Sequence, residues 1–495
     1  MSATSATSNS ASRTVDAIVI GLGPGGEDVA ARLARGGWSV LAVDEHLVGG
    51  ECPYYGCIPS KMMLHESRRS DASWERVARR IREDATDGWD DRVAVDRLLG
   101  TGATFVHGRG QVLGGPAVGP GPDGTEVTVT PNEGGPRQTW TARRAVVLNT
   151  GSESVRVPVP GLPEALTWTH RDVVTAETLP ASVAIVGSGP VGCELGQALA
   201  GFGVRVSLLV RGERLLSGEV PEAAELVAER FRAEGIDVRT RTEISGVHAG
   251  EVSRYETSHG IPASAGPVDL ELTSGDRLTV DRVVLATGRA PRDPVDVDDW
   301  CRVLDGPAAE GGQPVPGRYA IGDMTGAGPF THMSMAQAAV VADQLLTGAA
   351  SRSFPRHAVP RVTFTDPEVA AVGLSEGEAR RAVEHQGGDA SEVRVARVEL
   401  GASSRGWIDE VRGHLTLVAR VSGTSGGVLV GAAVVGPHAG EILGALTVAV
   451  HARVPVAELA RIPWAYPTLH RSIGDAVAQF GSDVLGADEA AGPAS

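Results

Sequence analysis

Cys52 and Cys57 stand five positions apart in the run Cys52-Pro53-Tyr54-Tyr55-Gly56-Cys57-Ile58-Pro59-Ser60-Lys61. Two thiols at that spacing, at the start of an expected helix, can approach closely enough to bond, and a helix N-terminus favours the thiolate. Reversible dithiol–disulfide exchange is the chemistry they offer. The bland alternatives are two buried structural cysteines or half of a metal site. No second close pair exists to complete a tetrahedral cluster, because the remaining cysteines, Cys193 and Cys301, lie far apart in sequence. Four cysteines so dispersed do not form a secreted disulfide framework, so a reducing, cytoplasmic compartment is expected.

A redox pair requires an electron source, and two glycine-rich turns are candidates for holding one. The β-rich run Val15 to Ile20 leads into Gly21-Leu22-Gly23-Pro24-Gly25-Gly26 and then an Ala-rich helical pattern to Arg35. The next β-rich run, Ser39 to Val43, ends at Asp44, where a nucleotide-binding unit carries its ribose-binding acid. The layout recurs at Val183 to Val186, Gly187-Ser188-Gly189-Pro190-Val191-Gly192, a helix, and Val204 to Leu209. In both turns glycine permits tight dihedrals and close approach to a pyrophosphate, which the helix N-terminal amides attract. One such turn is a weak signal, but two in strand–turn–helix settings imply two dinucleotide sites. Runs ending in Thr-Gly, at Thr150-Gly151 and Thr287-Gly288, suit a chain crossing between domains.

The chain has 495 residues, which at about 150 per domain indicates three domains. Its formal charge of −16 repels a polyphosphate backbone, so no nucleic-acid partner is expected. The longest uncharged stretch, Val421 to Gly440, is broken by glycines and a proline, and no transmembrane segment is expected. Residues 1–14 are rich in Ser, Thr and Ala and lack the apolar run of a secretory signal, which reads as a disordered tail. After Pro355 strands alternate at Val359 to Phe364, Val393 to Leu400, Gly413 to Val421 and Val428 to Val435. Helices at Glu376 to Glu384 and Glu441 to Ala452 complete an α+β pattern.

This order of motifs resembles the class I pyridine nucleotide–disulfide oxidoreductases, flavoproteins that include dihydrolipoamide dehydrogenase, glutathione reductase and mercuric reductase. The resemblance runs from Val15 to Gly481. Its motifs are the first glycine-rich turn, Gly49-Gly50 with Cys52 and Cys57, the second turn, Ala286-Thr287-Gly288-Arg289, Tyr319-Ala320-Ile321-Gly322-Asp323 and Thr365-Asp366-Pro367-Glu368. It implies an α/β fold with two Rossmann-like domains, for FAD and NAD(P), and a C-terminal α+β dimerisation domain. The expected division is 1–14 tail, 15–158 and 289–354 FAD-binding, 159–288 NAD(P)-binding, 355–484 dimerisation and 485–495 tail. By the same resemblance the protein is a homodimer with a small-molecule electron acceptor. Gly21, Gly23, Gly26, Asp44, Gly50, Gly151 and Asp323 hold FAD, while Gly187, Gly189, Gly192 and Gly288 hold the nicotinamide nucleotide. Lys61 sits by the flavin, ion-paired with Glu194. Cys57 is the flavin-side thiol and Cys52 the thiol open to the acceptor.

Three departures matter. The second β-strand of the nucleotide repeat ends at Val210 rather than an acid, followed by Arg211 and Arg214, two cations that can pair with a 2′-phosphate. NADPH is therefore preferred; a solvated turn and the glycine at Gly192 keep NADH open. In the C-terminal segment Tyr466-Pro467-Thr468-Leu469-His470-Arg471, tyrosine stands at the family's His position and arginine at its Glu position. A phenol, titrating near 10, is a poor base beside an imidazole near 6.5, and general-base help typically contributes 10²–10⁴-fold. The expected acceptor is thus one that does not need the His–Glu pair. His470 is a substitute base or a structural histidine, and Tyr466 a hydrogen-bond donor to a carbonyl or quinone oxygen, a ligand to a metal-bound substrate, or packing. Between the cysteines, Tyr54 and Tyr55 replace the usual small residues, and Glu51 precedes Cys52; the tyrosines either stack on a planar acceptor or fill the core. A mercuric-reductase-like enzyme, a quinone reductase, a conventional disulfide reductase and a catalytically silent flavin scaffold stand as alternatives. No metal site is expected.

Overall fold

The computed structural model describes residues 13–117, 119, 121–249, 266–349, 353–421 and 426–485. Most of both expected tails, 1–12 and 486–495, lies outside the described residues. Arg13, Thr14 and Leu485, placed in those tails by the sequence reading, belong to elements: Arg13 and Thr14 open the first strand against Trp140 and Thr141, and Leu485 ends a helix in an apolar core. The chain gathers into two compact units. The first comprises Met1–Tyr54, Arg82–Glu153 and Arg289–Phe354, the second Tyr55–Ile81, Ser154–Gly288 and Pro355–Ser495.

In the first unit the strand Arg13–Ile20 lies between parallel neighbours Val40–Asp44 and Gln138–Leu148, with Thr104–Val112 and Pro314–Ala320 continuing the parallel order on either side. The central stretches 17–20, 40–43 and 145–148 are near-continuous apolar runs, as expected of a parallel sheet covered on both faces. Their core holds Ile18, Leu41, Val43, Val146 and Ala320. Thr125–Pro131 bridges the outer ends of Thr104–Val112 and Gln138–Leu148 antiparallel. The strand-to-helix turn follows Ile20 directly. Gly21 has φ +89, and a Cβ there would lie 2.3 Å from the Asn149 carbonyl oxygen; one on Gly26 would lie 2.0 Å from the Gly21 oxygen. No other residue closes that turn.

The second unit repeats the device on a five-stranded parallel sheet in the order Asp237–Thr240, Arg205–Val210, Ser182–Val186, Arg282–Leu285, Thr167–Trp168. A three-stranded antiparallel sheet, Ile244–Ala249, Val268–Leu272 and Arg277–Val280, accompanies it. The same unit contains a five-stranded antiparallel sheet formed by Pro360–Thr363, Glu368–Gly373, Gly427–Gly436, His414–Val421 and Val393–Glu399. Helix Ala439–His451 buries Ile442, Leu443 and Leu446 in the core shared with that sheet. Four of its strands match the runs read from sequence; Glu368–Gly373 does not. That strand has four consecutive buried residues, Val369 to Val372, so the alternation that marks a half-buried strand is missing.

Candidate active site

Cys52 lies in the short helix Glu51–Tyr54 of the first unit, and Cys57 is the first residue of the helix Cys57–Ser67 in the second. Cys57 is exposed. Its helix starts at Gly56 without a side-chain cap and has no acidic residue in its first turn. The positive end of the helix dipole favours thiolate at this position. Cys193 and Cys301 are buried. Burial, then Glu194, push the Cys193 thiol up, which keeps it protonated.

One helical turn beyond Cys57, Lys61 Nζ lies 2.7 Å from Glu194 Oε2. Glu194, on the helix Pro190–Gly201, is buried, and its other oxygen accepts from the Phe364 amide at 2.9 Å. The ammonium also stands 4.5 Å from the centre of the Phe364 ring, within cation–π range. Two segments remote in sequence, carrying Glu194 and Phe364, thus hold Lys61. The sequence named Lys61 and Glu194; Phe364 was missed, because only the fold brings the end of strand Pro360–Thr363 to this helix. Lys61, His65, Arg68, Arg69 and Phe364 line a cleft of about 390 Å³ in this unit.

In the first unit the helix Pro24–Arg35 is capped by Gly23, which gives its amides no side-chain partner. Such an N-terminus is a ready anion site. Gly50 has φ +68 and packs against Gly23, where a Cβ would lie 2.8 Å from the Gly23 Cα. Asp44 accepts from the amides of Leu22 and His46. Burial raises its carboxyl, and those two hydrogen bonds oppose the rise. Asp323 accepts from the Ser152 hydroxyl, and Arg289 donates to Ser152 Oγ at 2.9 Å and to its carbonyl oxygen at 2.6 Å. Gly151 precedes this cluster with φ +72. Asn149, also missed in the sequence, is buried between the Gly21–Gly26 turn and Gly322; its amide in the Asn149-Thr150-Gly151 run was the available signal. An open helix N-terminus, a close-packed glycine turn and a carboxylate at the strand end fit a dinucleotide such as FAD.

In the second unit the helix Pro190–Gly201 is capped by Gly189, again without a side-chain hydrogen bond, and carries no acidic residue in its first turn. Gly187 has φ +127 beneath the Ala286 carbonyl, Gly192 packs on Gly187, and Gly288 has φ +107. These features fit a second dinucleotide. The two arginines beyond Val210 differ. Arg214 donates to the carbonyl oxygens of Ser217 and Glu219, both at 2.8 Å, holding a loop whose Leu216 amide donates to Ser188 O in the glycine-rich turn. Arg211 is exposed just after the fully buried Val210.

The inter-cysteine tyrosines also part ways. Tyr54 is buried, with its hydroxyl donating to Val48 O at 3.1 Å, and burial pushes its phenol up to about 12. It is core, not a platform. Tyr55 carries the Arg171 guanidinium over its ring at 4.7 Å. Tyr466 is 70% exposed and donates to Ser404 Oγ at 2.9 Å. His470 precedes helix Arg471–Val477 with a half-buried side chain, and Arg471 pairs with Asp475 at 3.4 Å.

Comparison with known proteins agrees with this geometry. The family model described as pyridine nucleotide-disulphide oxidoreductase matches residues 15–342, and the model of that family's dimerisation domain matches residues 359–477. The chain belongs to this family. This oxidoreductase is 31% identical over 497 residues to a mercuric reductase of Streptomyces lividans, a match covering 95% of this chain and 97% of that protein. It is 31% identical over 410 residues to a dihydrolipoyl dehydrogenase of Thermus scotoductus, covering 79% and 82%. The LpdA structure from Mycobacterium tuberculosis shares the fold, with a TM-score of 0.75 at 24% identity over 94% of this chain and 99% of that one. The family's enzymes are flavoproteins that use FAD and NAD(P)H. Among the described residues no helix is long and apolar enough to cross a membrane, and no cluster of three or more His, Cys, Asp or Glu is arranged to hold a metal.

Proposed function

We propose that this oxidoreductase takes reducing equivalents from NADPH, routes them through FAD to a Cys52–Cys57 disulfide, and delivers them to a small-molecule acceptor that needs no His–Glu pair. FAD, when bound, supplies the two-electron carrier between nicotinamide and sulfur. Two electrons and two protons open the S–S bond to two thiols; passed to an acceptor with two protons, they close it again. Cys57, at the open N-terminus of its helix, is the thiol best placed to remain a thiolate. Lys61 holds a fixed positive charge on the same helix face, since residues four apart are neighbours. The observation that carries this reading is the buried Glu194 clamping Lys61, with Phe364 closing the other side.

Arg211, free of an acid at Val210, supports NADPH over NADH. At the acceptor side the exposed Tyr466 hydroxyl, which donates to Ser404 Oγ in this structure, is the donor that would turn to a carbonyl or quinone oxygen. A second reading, reduction of a thiolate-bound metal ion such as Hg(II), is favoured by the mercuric reductases among the relatives. Cysteines only at 52, 57, 193 and 301 weigh against it, for they leave no further pair to hand over the ion.

The test is an anaerobic titration with NADPH followed by an acceptor screen. A long-wavelength thiolate–flavin absorbance should appear, and quinones should turn over faster than glutathione disulfide or lipoamide. A flavin that NADPH cannot reduce contradicts the proposal, and Hg(II) as the fastest acceptor favours the second reading.

A further inference from the structure

A side-chain pair within the second unit ties the C-terminal sheet to the loop beside the second glycine-rich turn. Arg361, on the strand Pro360–Thr363, meets Glu219 as a fork: Nε donates to Oε1 at 2.7 Å and Nη2 to Oε2 at 3.0 Å. The two side chains are 27% and 12% exposed, and neither has another ion pair among the described residues. Two-point pairs of this kind fix direction as well as distance. Glu219 lies near the end of the loop that begins at Arg211. Its carbonyl oxygen accepts from Arg214 at 2.8 Å, its amide donates to Leu216 O at 2.8 Å, and the Leu216 amide donates to Ser188 O in the turn at 2.8 Å. Leu216 is buried with φ +46, in the left-handed region that residues with a Cβ avoid. Such a conformation persists only where its surroundings impose it. At its near end the loop is held by the Arg241 amide on Gly212 O at 2.9 Å; at its far end Arg361 holds it by side chain.

We propose that Arg361, acting through Glu219, is a positioning residue for the second dinucleotide site. It holds the 211–220 loop in the conformation it adopts in this structure, the one competent to bind nucleotide, so a residue of the C-terminal sheet sets nucleotide affinity. Without the pair, the loop spends part of its time in other conformations, and apparent affinity falls by the competent fraction. The other charged side chains of the loop do not replace this hold. Glu213 pairs with Arg241 at 2.8 Å where both are more than 70% exposed, Arg214 is turned onto the loop's own carbonyls, and Arg211 is exposed. The proposal rests on the reading of this turn as the nicotinamide nucleotide site. It differs from the role given to Arg211, because a brace on the backbone affects NADPH and NADH alike.

The experiment is anaerobic stopped-flow reduction of the full-length, FAD-loaded enzyme by NADPH and, separately, by NADH, read as a half-saturating concentration and a limiting rate of flavin reduction. For each nucleotide that reduces the wild type, Arg361→Met and Glu219→Ala should each raise the half-saturating concentration about fivefold, the competent fraction falling to about a fifth. Limiting rate and bound FAD per chain should not change. The double variant should match the worse single variant, since the two residues act as one unit; effects that multiply would overturn the proposal. Arg361→Lys, which keeps the charge and loses the fork, should recover part of the loss. Arg412→Ala removes another pair made by the C-terminal domain, to Glu229 at 2.7 Å on the helix Pro221–Ala233 after the loop, and should leave the half-saturating concentration unchanged. If Arg361→Met leaves that concentration unchanged, or raises it only together with loss of FAD, the pair is merely structural and the proposal is overturned. A wild-type flavin that neither nucleotide reduces contradicts the reading of the site, and the proposal with it.

Discussion

Among single residues the sharpest expectation concerns Lys61. Replacing it with Met leaves the buried Glu194 carboxyl with the Phe364 amide but without its cation, and because the lysine side chain is 34% exposed the loss should be about 1–2 kcal/mol, between the exposed-pair and buried-pair ranges. Chemical denaturation should show that loss, with Glu194→Gln less affected because the amide oxygen still accepts from Phe364. For nucleotide choice, Arg211→Ala should raise the KM for NADPH about tenfold and leave that for NADH unchanged, the effect of losing one charge-assisted hydrogen bond. Arg214→Ala should weaken both nucleotides alike, since it frees the loop that braces Ser188. The residues whose chemistry depends on type and spacing were legible in the sequence: Cys57 and Lys61 on one helical face, and the glycines of both turns. Phe364, Asn149 and Ser152 were not, because each acts through contacts between segments far apart in the chain. Arg214 looked like Arg211 in sequence; only the loop carbonyls around it distinguish the two.

The elements obey the same division. Strand–turn–helix units were readable because period and glycine position coincide, whereas Glu368–Gly373, apolar on both faces, carries no alternation to read. The cysteine helix itself is secured at its far end by Glu66, which is buried and accepts from the Arg76 guanidinium and the Ser73 amide. The Arg76 hydrogen bonds, opposed by burial, hold the Glu66 carboxyl below the usual carboxylate range. A depressed carboxylate adds stability that is fully present above its unfolded value, near pH 4.3, and is lost as pH falls through the lower folded value. Glu66→Gln should therefore melt below the wild type at neutral pH. The gap should close as the medium is acidified below about pH 4, in thermal melts across that range. A gap that stays constant with pH would assign the loss to packing.

At the scale of the whole molecule, residues 359–477 match a dimerisation domain, and the same stretch exposes apolar side chains in the single chain. Trp407 and Ile408 are 77% and 55% exposed on helix Ser404–Ile408, whose Ser404 accepts from Tyr466. Trp is among the residues that interfaces most often bury, so this helix is the place to test for the dimer contact. Trp407→Asp should shift the protein from two chains to one in light scattering, with bound FAD retained; an unchanged mass would place the interface elsewhere. The motif order anticipated the two strand–turn–helix folds and the C-terminal strands, while the grouping of Tyr55–Ile81 with the second unit has no sequence signal.

The central claim is that electrons from the nicotinamide nucleotide reach the sulfur pair. The direct measurement is a thiol count by alkylation and mass spectrometry before and after anaerobic addition of NADPH. The account predicts that peptides carrying Cys52 and Cys57 are linked beforehand and each take one alkyl group afterwards, with Cys193 and Cys301 unchanged. Two sulfurs that label equally well without NADPH, or that stay linked after the flavin is reduced, would contradict it.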